Sequence, residues 1–253
     1  MNCTLTAAII SGCLLGAILL GMRIRRLLPE HHRDADTKDT VKLAMGLVAT
    51  MSALLLGLLV ASAKGSYDTV RSEIIQMAAK VSFLDRVLGL YGPDAAPLRA
   101  QFRAATEEGV RQMWSQGAGS LVPGTHTGDA LYAAIQGLSP RDDAQRNLKA
   151  QAASLAVDLA QLRTLLRAQS LASISRPLLV VVVLWLVIIF LSFSVFAPSN
   201  ATATLALIVS ALAVAGAIFL ILEMDHPFSG LIQISNEPLL NALNPLPTGS
   251  MKP

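Results

Sequence analysis

The residues that could do chemistry are few and sit close together. His31, His32, Asp34 and Asp36 place two imidazoles and two carboxylates within six residues, a donor set able to ligate zinc or a similar metal at a membrane surface. That would make the chain a membrane-surface metalloenzyme. The spacing offers neither a helical i, i+4 His pair nor a general base placed as in a zincin. The plainer reading, a solvated loop facing lipid headgroups, is adopted, and no metal or other cofactor is expected. His126, in Gly124-Thr125-His126-Thr127-Gly128, reads as a surface loop residue. Cys3 and Cys13 have no second cysteine or histidine at ligand spacing. There is no Gly-rich phosphate loop, no Ser-His-Asp order in a recognisable context and no charge inside an apolar segment to relay protons. The chain is therefore expected not to be an enzyme. Glu223, Asp225 and His226 follow the last apolar segment, and Lys64 and Arg71 follow the second. Opposite charges at two membrane exits read as a structural ion pair, with a ring at an ion entry as the other use.

The elements that carry these residues are set by the apolar segments. Of 253 residues, 53% are hydrophobic and 15% charged, against about 25% charged in a soluble domain, and the mean hydropathy is +0.54. Four stretches, 4–22, 43–63, 177–197 and 203–222, contain no Asp, Glu, Lys or Arg. Each is long enough to cross the roughly 30 Å hydrocarbon core as a helix that satisfies its own backbone hydrogen bonds. The first is preceded by no positive residue and followed by Arg23, Arg25 and Arg26 in place of a cleavage site, so it reads as a retained span and not a signal peptide. The net charge of +3 comes with no basic run interleaved with aromatics, which excludes nucleic acid as a partner.

The fold expected is an all-α membrane protein: four transmembrane helices with a large helical extramembrane insert between spans two and three. Residues 1–63 hold the first pair with a loop over 23–42, 64–176 the insert, 177–222 a hairpin broken by Pro198-Ser199-Asn200, and 223–253 a turn and tail. In the insert the apolar period becomes that of an amphipathic helix. Val70, Ile74, Met77, Val81, Leu84 and Leu88 recur every three or four residues as far as the breaker Tyr91-Gly92-Pro93. A second helix over 95–116 carries Leu98, Phe102, Val110, Met113 and Trp114, and a short one lies near 129–137. Ser139 as cap, Pro140 in the first turn, and Asp142 with Asp143 predict a last helix reaching Ser173, with Leu148, Leu155, Leu159, Leu162 and Leu166 as its stripe. No strong breaker separates span two from the helix after it, so one continuous helix is expected across Leu43 to Leu90, about 72 Å long.

Two local patterns carry a resemblance. Span two ends in Lys64-Gly65-Ser66-Tyr67-Asp68 followed by Arg71 and Glu73, and span four ends in Glu223-Met224-Asp225-His226-Pro227-Phe228-Ser229-Gly230. The first resembles the bestrophin segment in which an apolar span ends at a basic residue before Ser-Tyr-Asp. The second is similar to the acidic, then Pro-Phe-Gly, turn after the last bestrophin span. Leu28-Pro29-Glu30-His31-His32, the stretch over 38–63 and the Asp-x-Pro-Phe-Ser-Gly turn resemble, over nearly the whole chain, a family of bacterial four-span membrane proteins described as bestrophin-like.

Bestrophins are pentameric anion channels whose second span lines the pore and narrows to a neck of bulky apolar side chains. The resemblance therefore implies a homo-oligomer in the cell (inner) membrane, multi-pass, with chloride as a candidate anion. Aligned on Ser66-Tyr67-Asp68, the neck positions fall on Ala53, Gly57 and Ala61, which are small and depart from the family pattern. With Ala49 they form a stripe at every fourth residue, which serves close helix packing as well as a wider pore. The family's calcium clasp has one carboxylate here, in Ser235-Asn236-Glu237, and no calcium site is expected. The turn holding Glu223, Asp225, Pro227 and Phe228 is expected to dock on the Lys64 to Glu73 segment. Six basic residues in the 23–42 loop favour a cytoplasmic loop, the resemblance favours a cytoplasmic insert, and the latter is preferred. The two function classes are an anion channel with span two at the axis, and a non-conducting scaffold or sensor whose insert binds a partner protein.

Overall fold

The computed structural model of the chain describes residues 3–27, 35–116, 125–171, 176–198, 200–228 and 230–243. Helices account for 90% of them and no strand occurs among them. In order they are α1 (Cys3–Leu27), α2 (Ala35–Tyr91), a 3-10 turn (Pro93–Ala95), α3 (Ala96–Gln116), α4 (Thr125–Gln136), α5 (Asp143–Leu171), α6 (Arg176–Phe196), α7 (Ala201–Met224) and α8 (Glu237–Leu243). Four of these, α1, α2, α6 and α7, are long and apolar enough to cross a membrane. The protein is an all-α membrane protein.

The helices overrun their charge-free stretches. Arg25 and Arg26 lie in the last turn of α1, and Asp39 and Lys42 already belong to α2, so the segment expected as a loop over 23–42 is helical at both ends. The physical reason is that arginine and lysine are good helix formers outside the hydrocarbon, where only the interface limits them. With 57 residues, α2 is about 86 Å long.

The chain divides into two compact units, one of residues 1–66 and 173–225, the other of 67–172 and 226–253. In the first, α1 packs on α6 and α7 around Leu14, Ile18, Val182 and Ile218, all at most 1% exposed. Gly21 is the point of closest approach: a Cβ there would lie 2.7 Å from Ser194 Cβ and 2.8 Å from the Leu191 carbonyl oxygen. The Ser194 hydroxyl donates to the Ile18 carbonyl at 2.6 Å, the small-residue and hydroxyl packing that joins helices in lipid. Arg25 donates to the Ala197 carbonyl, which fixes the end of α1 beside the end of α6.

In the second unit the stripe Val70, Ile74, Met77, Val81, Leu84 and Leu88 is wholly buried, together with Leu98, Phe102, Val110 and Met113 of α3 and Leu155, Leu159, Leu162 and Leu166 of α5. Gly92, at φ +109, turns the chain out of α2, a conformation in which other residues are strained. The start of α5 departs from the expected cap. Asp142, not Ser139, accepts from the Gln145 amide at 2.7 Å, and Pro140 lies outside the helix. An aspartate directly before the first helical residue satisfies an orphan N–H that a serine three residues earlier cannot reach. Lys149 then caps α4 by donating to the Gln136 and Leu138 carbonyls at 2.7 and 2.9 Å. The helix α8 lies in a segment expected as tail, and Leu239 and Leu243 bury it in the core that includes α3.

Candidate functional site

The face of α2 that its own chain leaves open carries a strip of small residues beside exposed leucines. Ser52, Leu59 and Ala63 are buried, and Leu55 and Leu56 pack on the core of α1, α6 and α7. At 100° per residue the stripe lies about a third of a turn away from them. Ala49 is partly buried at the border, while Ala53, Gly57 and Ala61 are exposed. No atom lies within 4 Å of a Cβ built on Gly57, so nothing within this chain requires a glycine there. Of the four apolar windows, that of α2 is the least enclosed, 11% buried against 33%, 28% and 22% for α1, α6 and α7. Leu43, Leu47, Leu54 and Leu58 are exposed on the same helix.

The residues expected at the membrane exits fall in both units. In the first, Lys64 and Ser66 are exposed, Asp225 is partly buried, and Glu223 is 1% exposed in the last turn of α7. In the second, Tyr67 packs against the core, Asp68 and Arg71 are exposed, Pro227 is partly buried and Phe228 is 5% exposed. Phe228 shares its core with Val70 and Ile74 of α2, and its ring meets Trp114 of α3 edge-on, centroids 5.5 Å apart at 88°. The Trp114 indole donates to the Ile234 carbonyl at 2.8 Å, and the Ile234 amide donates to the Pro227 carbonyl at 2.9 Å. Gly230 makes the turn possible at φ +105. Trp114 is thus the anchor of the Pro-Phe turn, a role its place on the α3 stripe did not suggest.

Asp85 is a further buried charge that its local sequence barely marks. It is 6% exposed and held on both sides: Arg99 donates to it at 2.9 and 2.7 Å, and Arg103 at 2.6 and 2.7 Å. Arg99 and Arg103 are four apart on one face of α3, so both guanidiniums reach one carboxylate. Burial alone raises the Asp85 pKa, but the hydrogen bonds and charge of Arg103 and Arg99 outweigh it and hold the carboxyl at about 2. Gly89, one turn further on, leaves room for Arg99, whose Nη1 would lie 3.2 Å from a Cβ there. The only sequence signal was a lone aspartate beside Leu84 on a buried stripe. This clamp is structural. Among the described residues no group of three His, Cys, Asp or Glu could hold a metal. His31, His32 and Asp34, and the side chains of Asp36 and His126, lie outside the described residues.

A family model described as a bestrophin-like domain matches residues 12–239. The chain belongs to the bestrophin-like family. No curated protein and no solved structure matches it. Both segments on which the sequence resemblance rests, the one ending in Ser66-Tyr67-Asp68 and the Pro227-Phe228 turn, fall inside the matched region of this bestrophin-like chain.

Proposed function

We propose that this bestrophin-like protein assembles as a homo-oligomer in the cell membrane, pentameric by family resemblance, and conducts anions such as chloride along an axis lined by α2. The observation that carries the reading is the open face of Ala53, Gly57 and Ala61 on the least enclosed of the four spans. No span holds a charge within its apolar stretch, so one protomer offers ions no polar path of its own, and conduction needs a route between copies. The test is reconstitution in liposomes with chloride and potassium flux, alongside the mass of the particle in detergent. Chloride flux from an oligomer supports the reading, and a monomer without flux overturns it.

The same small residues support a second reading. Side chains of one carbon or none let α2 helices of neighbouring copies approach until no aqueous path remains, which makes the assembly a sealed scaffold whose helical insert binds a partner protein. An oligomer of the same mass with no flux for either ion selects this alternative.

A further inference from the structure

One cavity in the second unit pairs an apolar wall with a single uncompensated cation. It holds about 290 Å³ between α3, α4 and α5, half open to solvent and lined by Leu98, Gln101, Phe102, Ala105, Leu131 and Ala134, with Arg163 as its one charged side chain. Leu98 and Phe102 belong to the buried core, so the floor is firm. Three other partly buried cations of the unit have carboxylates: Arg99 and Arg103 share Asp85, and Lys80 pairs with Asp158. Arg163 has no ion pair among the described residues, and the chain over 117–127, which leads into α4, contains no acidic residue to supply one. Removal from water lowers its pKa with no counter-charge to oppose the effect. A guanidinium placed on an apolar cavity without a partner is costly unless an anion completes it.

We propose that this cavity binds a small amphiphilic carboxylate, its carboxyl group on the Arg163 fork and its apolar body between Phe102 and Leu131. Arginine offers two parallel N–H donors that match a carboxylate. At about 30 Å³ per water-sized volume the cavity holds a guest of about ten heavy atoms, at the lower edge of ordinary ligand sites. A short-chain or single-ring monoacid meets both limits, and a two-chain phospholipid exceeds them. The site is independent of whether the protein conducts.

The experiment is fluorine NMR of 4-fluorobenzoate with the purified full-length protein in detergent. Saturable line broadening is expected, displaced by octanoate but not by octan-1-ol or by chloride at a hundred times the probe concentration. Arg163→Leu should weaken binding at least tenfold, and Arg163→Lys less. Should Arg163→Leu fail to fold, Ala105→Leu, which fills the cavity and keeps the charge, should abolish the broadening. Equal binding by a folded Arg163→Leu or by Ala105→Leu overturns the proposal. So does displacement by octan-1-ol, which marks an apolar hole, or by chloride, which marks a plain anion site.

Discussion

Asp85 shows how one residue holds a polar helical unit together outside the hydrocarbon. Its carboxylate takes four charge-assisted hydrogen bonds from two arginines, and such bonds contribute roughly 1.5–3 kcal/mol each when partly buried. Asp85→Asn should therefore lower the stability of the second unit by a comparable amount, read as a drop in the thermal unfolding midpoint. The sign of the pH effect follows from a folded pKa of about 2, below the roughly 3.9 of an unfolded aspartate. The contribution is complete above pH 4 and is lost as pH falls from about 4 to 2. Wild type should lose stability across that window and Asp85→Asn should lose less; parallel pH curves would contradict the assignment. Phe228 is the second decisive residue. Its truncation to alanine removes an aromatic ring packed on Trp114 and should cost about 3–5 kcal/mol. Asp225→Asn, at a partly exposed site, should cost no more than about 1 kcal/mol. Equal effects would show that the turn is held by its charge and not by its ring.

Among the elements, two glycines distinguish packing inside the chain from the contacts that the proposed assembly would make. Gly21 meets Ser194 and Leu191 at distances no Cβ tolerates, so Gly21→Leu should destabilise the α1–α6 pair by about 1–3 kcal/mol or more. Gly57 has open space around it, so Gly57→Leu should leave the protomer's unfolding unchanged while shifting the mass of the oligomer or its flux. Unchanged mass and flux would place the stripe against lipid. The elements themselves were largely legible in the sequence. The spans are free of charge, and the α2 stripe from Val70 to Leu88 keeps one period and is buried throughout. What was not legible depends on distance along the chain. The Asp85 clamp joins residues 14 and 18 apart, and Trp114 reaches across 120 positions to Ile234; neither leaves a local pattern. The Asp142 cap was missed because Ser139-Pro140 is the stronger local signal, and α8 because seven residues are too few to establish a period.

For the whole molecule, the first unit has a defined polarity. Arg25 on the Ala197 carbonyl puts the end of α1 at the α6–α7 hairpin, and the charge-free stretch of α2 ends at Lys64, the far end of that stretch from α1's last turn. If the insert is cytoplasmic, as family resemblance favours, Asn200→Cys in a background without Cys3 and Cys13 should be labelled from outside intact cells and Ser115→Cys should not. The reverse pattern would mean that the six basic residues over 23–42 set the orientation.

By the function proposed for it, the small face of α2 lines an ion path between copies. The most direct test is chloride flux through liposomes carrying Gly57→Cys, before and after complete modification by a charged methanethiosulfonate. An α2-lined path requires flux that modification blocks, with no block in the matching variant of Leu20, exposed on α1. Flux that survives full modification at position 57 would contradict it.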